Sequence, residues 1–151
     1  MERPEYGPQI GALLRLAWES LQAELLTHLR AAGFDDLREV HRPLLRYPPI
    51  DGWRPTQLAA HLRLSKQATN DILRDLEECG YVRLERDLTD GRARIIRYTD
   101  RGWRLFDTGS RISGEIGARW ADTIGQEQYR QFAAALQTIV DLNRSQTSES
   151  D

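Results

Sequence analysis

Four side chains that can hydrogen-bond to the edges of DNA bases recur on one face of a helical pattern near the middle of the chain. They are Lys66, Gln67, Asn70 and Arg74. Side chains of these types and lengths reach base edges when a helix lies in a major groove. The same row is also typical of an ordinary solvated helix face, so a second feature is needed before it favours nucleic-acid recognition.

A second polar group follows at the tip of a predicted hairpin. Residues 81–86 alternate apolar and polar side chains as a half-buried strand does, and residues 95–98 form a second apolar run. Between them lie Asp90, Arg92 and Arg94, flanked by Arg86 and Arg97. These arginines are either simple hairpin-tip charges or contacts to a polyanion.

Two short helical patterns position the first row. The first has Thr56 as its predicted N-cap, directly after Pro55. The second has Ser65 as its predicted N-cap and ends at Gly80, with Thr69 on its buried side. Its predicted apolar stripe consists of Ala68, Ile72, Leu73 and Leu76. Helix, turn, helix and hairpin over residues 54–104 predict a winged helix-turn-helix, a module that reads DNA.

Over this range the chain resembles the multiple-antibiotic-resistance-regulator (MarR) family of dimeric transcription factors. The resemblance is carried by residues 56–59, 64–66, 76–77 with 80–82, 90–94 and 98–102, in that order. It implies a homodimer on a palindromic duplex operator, with Arg92 directed into the minor groove and held by Asp90. We therefore expect a repressor relieved by a small-molecule effector. The predicted DNA-binding residues are Ser65, Lys66, Gln67, Asn70, Arg74, Arg86, Asp90, Arg92 and Arg94.

The chain departs from the family pattern at three positions. Arg63 stands where the family often has glycine, and a positive φ there would cost arginine about 1 kcal/mol. Asp71 stands where many members have a basic residue that faces the phosphates. Pro43 lies within what the family makes a continuous helix, so we expect a kink or a restart there.

The flanking segments predict a mainly α single domain with a small β-wing. Apolar residues at helical spacing predict dimerisation helices over 8–32 and 104–143, a connecting helix over 36–47, and a disordered tail over 144–151. The apolar faces of residues 8–32 and 126–140 exceed what the central module can bury. Homodimerisation accounts for them, and a larger monomeric helical core is the alternative.

The resemblance also implies a pocket for small aromatic acids between the module and the dimerisation helices. Aromatic rings and cationic groups suit such ligands. The candidate lining residues are Trp18, His41, Arg42, Tyr47 and Trp53. Core packing is the alternative role for Trp18.

Composition restricts the other functions. Residues 54–104 contain eleven Arg or Lys and eight Asp or Glu, a balance of +3, whereas the remaining ten and fifteen give −5. A basic module between acidic flanks is typical of nucleic-acid binding through one face. Cys79 is the only cysteine and is expected to be buried and structural rather than a redox sensor, with Glu77 and Glu78 raising its pKa.

The sequence contains no recognised catalytic signature. His28, His41 and His61 show no metal-ligand spacing, and the chain has no phosphate-binding Gly-rich loop or nucleophile elbow. We therefore expect no cofactor and no metal. Because no signal peptide or long apolar run is visible, we also expect no membrane span and a cytoplasmic protein. A winged helix that binds proteins and an enzyme of unrecognised type remain the alternatives to a DNA-binding regulator.

Overall fold

The computed structural model describes residues 9–46 and 48–148, without the side chains of 143–148. In chain order these residues form α1 (Ile10–Ala31), a 3₁₀ connecting helix (Glu39–Leu45), α2 (Pro55–Leu62), α3 (Lys66–Glu78), β1 (Val82–Arg86), β2 (Arg94–Tyr98), α4 (Asp100–Ile124) and α5 (Gln126–Ser148). The predicted fold class, mainly α with a small β-wing, is confirmed. None of the described helices is long and apolar enough to cross a membrane.

The chain divides into two compact units, and the boundary lies inside α4 between Ile112 and Ser113. In the first unit the core contains side chains from α1, the connecting helix and the central module. The largest fully buried ones include Leu29, Leu44, Leu58, Leu76, Tyr81 and Ile96. In the second unit α4 and α5 approach closely, since a Cβ on Gly117 would lie 2.5 Å from the Tyr129 hydroxyl.

The helix-turn-helix begins two residues earlier than predicted. Arg54, not Thr56, is the N-cap of α2, and Pro55 occupies the first helical position. Proline suits that position because its missing N–H would have had no partner within the helix. The Gln57 side chain accepts a hydrogen bond from the Arg54 backbone N–H at 2.8 Å, so the N–H of the N-cap residue has a partner.

The turn between α2 and α3 requires a left-handed residue. Arg63 has φ 54° and ψ 40°, and it is the one non-glycine residue with positive φ among the residues described. The conformation lets the Leu64 N–H reach the Ala59 carbonyl at 3.0 Å and close the C-terminus of α2. The cost of about 1 kcal/mol expected for an arginine with positive φ therefore applies at this position.

The two strands pair antiparallel, with Val82 opposite Tyr98 and Arg86 opposite Arg94. Val82 and Tyr98 are buried beside α3, whereas Arg86 and Arg94 are exposed where the loop of residues 87–93 begins and ends. We call β1, this loop and β2 the wing. The alternation of side chains predicted for the first strand is thus observed only in part, because Leu84 and Glu85 are both half-buried.

Residues 98–102 join the wing to α4 through a tight contact. Thr99 Oγ1 accepts the Gly102 N–H at 3.1 Å and donates to the Gly80 carbonyl at 2.6 Å. A Cβ on Gly102 would lie 2.1 Å from the Tyr81 carbonyl oxygen, so only glycine fits. This explains why the Thr-Asp-Arg-Gly sequence that carried part of the resemblance is needed here.

The connecting helix differs from the expectation. It spans seven residues as a 3₁₀-helix that continues through Pro43 without a restart. Its i to i+3 bonds, such as His41 N–H to Arg38 carbonyl at 3.0 Å, form a tighter helix that accommodates the proline. Tyr47, at its predicted end, lies outside the described residues.

The C-terminal helices are longer than predicted. α4 continues through Gly109, Gly114 and Gly117, and it ends before Gly125, whose φ is 97°. α5 reaches Ser148, so residues 144–148 are helical where the sequence predicts disorder. Polar residues of moderate helix propensity can extend a helix that has already formed. Residues 149–151 of that predicted tail lie outside the described residues.

Candidate nucleic-acid interface

α3 presents the predicted row of donors on its exposed face. Ser65 caps the helix, as predicted, and its hydroxyl accepts the Ala68 N–H at 3.1 Å. Thr69 and Leu73 are buried on the opposite side. Lys66, Gln67, Asn70 and Arg74 are all exposed. We call α3 the recognition helix.

Asp71 interrupts the positive charge of this face. Its carboxylate lies 3.3 Å from Arg74 Nη1, and both side chains are exposed. An exposed i, i+3 pair of this kind contributes little to stability. It does, however, leave less net positive charge on the recognition helix than the row of residue types suggests.

The recognition helix and the wing share one groove. Asn70 and Arg74 line it from the helix, and Arg94 lines it from the first residue of β2. Glu77 fixes the two elements to each other, since its Oε1 accepts the Leu84 N–H of β1 at 2.8 Å. Three predicted DNA-binding residues, two from the recognition helix and one from the wing, therefore lie together on one surface.

The tip of the wing is held by Asp87, which the sequence analysis did not single out. Asp87 accepts hydrogen bonds from the Thr89 hydroxyl at 2.6 Å and the Thr89 N–H at 2.9 Å. The Arg54 guanidinium donates two more, from Nη2 at 2.6 Å and Nε at 3.1 Å. These hydrogen bonds hold the pKa of the Asp87 carboxyl far below its ordinary value, and those from Thr89 have a larger effect than those from Arg54.

The expected contact between the Asp90 carboxylate and the Arg92 guanidinium is not formed. Its Oδ1 accepts the backbone N–H of Arg92 at 3.2 Å, and its Oδ2 lies 3.5 Å from Arg54 Nη1. The short Asp-Gly-Arg turn directs the carboxylate back onto its own backbone, an Asx-turn geometry. The exposed Arg92 side chain is therefore positioned by the loop backbone rather than by an ion pair with Asp90.

The two arginines that flank the tip are engaged within the protein. Arg86 Nε donates to the Gly91 carbonyl at 2.8 Å, which closes the loop from the side of β1. Arg97 Nη1 lies 3.0 Å from Asp51, and its Nε lies 3.8 Å from Glu85. The positive charge of Arg97 is thus balanced by two carboxylates, whereas Arg86 bonds to a backbone carbonyl and presents its charge at the exposed loop.

The predicted effector residues do not form a single site. Trp18 and Arg42 line a cavity of about 460 Å³, and Trp53 lines a second, more open one beside His61. His41 belongs to neither cavity, because it is fully buried against the recognition helix. The other residues that line the cavity of Trp18 are Gln22, Pro43, Leu45, Arg46 and Leu62. Spacing along the chain gave no indication of this division.

A cluster of potential metal ligands is formed by His41, Asp75 and Cys79, whose ligand atoms lie within 4.8 Å of one another. His41 Nδ1 accepts the Arg38 N–H at 3.3 Å, so Nε2 carries the ring proton and donates to Asp75 at 2.7 Å. A metal would need that nitrogen unprotonated, and the Arg38 guanidinium also contacts the same carboxylate. The arrangement fits a hydrogen-bonded link between the connecting helix and the recognition helix better than a metal centre.

Cys79 is half-buried at the C-cap of the recognition helix. Burial raises the pKa of its thiol, and the carboxylates of Asp36 and Asp75 raise it further. The direction agrees with the expectation, although the acidic groups responsible are not Glu77 and Glu78. A raised pKa favours an unreactive thiol over a redox sensor.

Residues 48–93 match the family model of the MarR family. The matched range contains α2, the recognition helix, β1 and the loop of the wing. These are the elements that carry the geometry described above. Among curated proteins, none is significantly similar to the chain.

Solved structures of similar architecture cover most of the chain. A MarR transcriptional regulator from Methanosarcina mazei Go1 is 22% identical, with a TM-score of 0.72 and coverage of 90% of this chain and 96% of that one. MepR, a transcription regulator of the Staphylococcus aureus multidrug efflux pump MepA, is 19% identical, with a TM-score of 0.65 and coverage of 88% and 97%. The transcriptional repressor CouR, solved with a 23-mer DNA duplex, is 20% identical, with a TM-score of 0.66 and coverage of 93% and 98%. The family model over residues 48–93 and the fold shared with these solved structures thus confirm the predicted resemblance to the MarR family.

Proposed function

We propose that the chain acts as a homodimeric, sequence-specific DNA-binding regulator, and that it represses transcription until a small molecule releases it. The observation that carries this proposal is the groove shared by Asn70, Arg74 and Arg94. An amide and two guanidinium groups on one surface can read base edges and phosphates together.

The solved relatives support duplex DNA as the partner. CouR is a transcriptional repressor and was solved with a 23-mer duplex, and MepR was solved as a DNA complex. By analogy, the recognition helix of this chain enters the major groove, with Lys66, Gln67, Asn70 and Arg74 facing it. Ser65 caps the helix end that approaches the backbone, and the wing places Arg92 and Arg94 beside the adjacent groove.

Exposed apolar side chains support the dimer. The N-terminal half of α1 exposes Ile10, Leu13, Leu14, Leu16 and Trp18, although Leu25 and Leu29 in its C-terminal half are buried. α5 exposes Phe132, Ile139, Val140 and Leu142. Several exposed large apolar side chains on one helix are typical of interfaces between subunits. Two copies would also place two recognition helices on the half-sites of a palindrome.

Duplex binding by a dimer can be tested directly. A selection from random duplex DNA should recover a palindromic site, and titration of that site should give an affinity that falls steeply with salt. Light scattering at micromolar concentration should give twice the 17.4 kDa of the chain. A stable monomer, or binding that ignores salt and sequence, would contradict the proposal.

We place the effector in the cavity lined by Trp18 and Arg42. Its lining is mostly apolar, and the guanidinium groups of Arg42 and Arg46 suit a ligand that carries a carboxylate. Gln22, which is buried, supplies an amide at the same cavity. These groups favour small aromatic acids as the ligand class.

The cavity predicts a residue-specific response. Aromatic acids should change the Trp fluorescence of the wild type and weaken its binding to DNA, whereas Arg42→Gln should lose both responses. Trp53→Phe is the matched control and should keep the effect on DNA binding, because Trp53 lines a different cavity. Responses that survive Arg42→Gln but not Trp53→Phe would move the effector to the second cavity.

A further inference from the structure

We propose that Arg54 is a positioning residue that fixes the wing relative to the helix-turn-helix, and that it determines DNA affinity through Arg92 rather than by contact with DNA. This inference rests on the proposed function. Neither the family model nor the sequence pattern assigns a role to Arg54, which lies in the loop before α2.

The Arg54 side chain joins two parts of the module that are distant in sequence. Its Nη2 and Nε donate to Asp87 Oδ2 at 2.6 and 3.1 Å, and its Nη1 lies 3.5 Å from Asp90 Oδ2. One guanidinium thus spans both ends of the Asp87-Leu88-Thr89-Asp90 segment, which leads directly to Arg92. We call Arg54, Asp87 and Asp90 the wing clamp.

Both ends of the wing clamp are fixed. Arg54 is the N-cap of α2, and its backbone N–H is held by Gln57 at 2.8 Å. On the other side, Asp87 is buried and also bonded to Thr89, while its backbone N–H donates to the Ala93 carbonyl at 3.0 Å. A link between two immobile ends transmits position, whereas a link between flexible side chains would not.

The geometry argues against Arg54 as a primary phosphate contact. Two carboxylates lie on its guanidinium, so its charge is already neutralised within the protein. Arg92 makes no such ion pair among the described residues, and its backbone N–H is held by Asp90 of the same clamp. Loss of the clamp should therefore act on DNA binding by releasing the loop that carries Arg92.

A double-mutant cycle separates positioning from direct contact. Arg54→Ala should weaken binding to the selected duplex about tenfold when Arg92 is present, and less than about twofold in an Arg92→Ala background. Arg54→Lys should not restore affinity, because lysine keeps the charge but cannot form the forked contact. If Arg54 contacts a phosphate instead, the two losses will be independent, lysine will rescue binding, and the inference will be overturned.

Arg83→Ala is the matched control. Arg83 is an exposed arginine of the same wing, and its ion pair with Glu85 at 2.6 Å lies within β1. Its removal deletes one wing charge without touching the clamp, so the fold-change should stay below about twofold. An Arg83→Ala loss as large as that of Arg54→Ala, with equal dependence on Arg92, would overturn the inference.

Hydrogen exchange gives a readout that needs no DNA. In Arg54→Ala the amides of residues 88–93 should exchange faster than in the wild type, while those of the recognition helix remain protected. Asp87→Asn weakens the clamp from its other end. It should also speed the exchange of residues 88–93 and leave the recognition helix protected, even if Arg54→Ala fails to fold. Unchanged exchange of the wing loop in folded Asp87→Asn would contradict positioning by the clamp.

These outcomes distinguish the inference from the function on which it rests. A wild type that binds no duplex in a salt-dependent manner would overturn both. A wild type that binds, together with Arg54 and Arg92 effects that simply multiply, would overturn the wing clamp alone.

Discussion

His41 Nε2 donates a hydrogen bond of 2.7 Å to the Asp75 carboxylate and so ties the connecting helix to the recognition helix. His41 is fully buried, and its other ring nitrogen accepts the Arg38 N–H. The same connecting helix contributes Arg42, Pro43 and Leu45 to the cavity proposed for the effector. A single short helix therefore contacts both the cavity and the recognition helix.

The buried His41 bond should contribute measurably to stability. His41→Ala removes a packed ring and leaves Asp75 with one partner fewer, so the free energy of unfolding should fall by about 2–3 kcal/mol. Urea denaturation at pH 7 and fixed protein concentration measures it. His28→Ala, at an exposed position on α1, should cost less than about 0.5 kcal/mol. Equal losses for both variants would show that the bond contributes nothing specific.

Replacement of Arg63 should relieve backbone strain. Arg63→Gly should raise the free energy of unfolding by about 0.5–1 kcal/mol, because glycine adopts φ 54° without a Cβ penalty. Thermal unfolding should show an increase of roughly 2–4 °C. Arg63→Ala removes the same side chain but keeps the Cβ, and it should give no increase. Stabilisation by alanine would mean that the guanidinium, not the backbone, was the source of the strain.

Asn70 should read bases. Asn70→Ala should weaken binding at the selected site by about 1–3 kcal/mol and affect random duplexes little, since an amide can make bidentate bonds to adenine. Fluorescence anisotropy with both duplexes gives the two values. Glu78→Ala, on the same helix but at its C-terminal end, should alter neither. Equal losses of Asn70→Ala on specific and random DNA would remove Asn70 from the reading residues.

Arg92 should enter the minor groove. Arg92→Ala should weaken binding at all sites, flatten the slope of log affinity against log salt by about one unit per half-site, and reduce preference for A·T-rich flanks. Titrations of one duplex at three salt concentrations measure the slope. Arg15→Ala, an exposed arginine paired with Glu19 on α1, is the control and should leave the slope unchanged. Wild-type affinity and slope in Arg92→Ala would assign the residue to a hairpin tip in solvent.

Asp36 should make stability depend on acid pH. Burial raises the pKa of its carboxyl, but the hydrogen bond from Tyr81 and the charge of Arg101 outweigh this and lower the pKa overall. Ionised Asp36 therefore stabilises the fold at pH values above the ordinary value of 3.8, and that contribution is lost as the pH falls through the lower value of the folded state.

The Asp36 contribution can be isolated by comparison with Asn. Asp36→Asn should cost about 1 kcal/mol at pH 7, and the difference from the wild type should shrink on acidification below pH 3.8. Urea denaturation between pH 7 and pH 2.5 follows it. Asp35→Asn, at the exposed neighbouring position, should be close to neutral throughout. A difference that grew on acidification would reverse the sign of the argument.

Local signals in the sequence determined the helix-turn-helix and the faces of its helices. The Ser65 cap and the end at Gly80 follow from hydrogen bonds and φ angles within a few residues, and the buried side of Thr69 follows from helical spacing. Such features depend on residue type alone, so a single sequence suffices to predict them. The strain at Arg63 also follows from one position and one neighbouring turn.

Contacts between distant segments were decided only by the tertiary structure. Arg54 and Asp87 are 33 residues apart, and His41 and Asp75 are 34 apart. No periodicity or motif in the sequence marks either pair. The packing of α2 against the wing brings the first pair together, and the packing of the connecting helix against the recognition helix brings the second together. For the same reason Asp90 Oδ2 lies near Arg54, and the candidate effector residues separated into two cavities and a buried hydrogen bond.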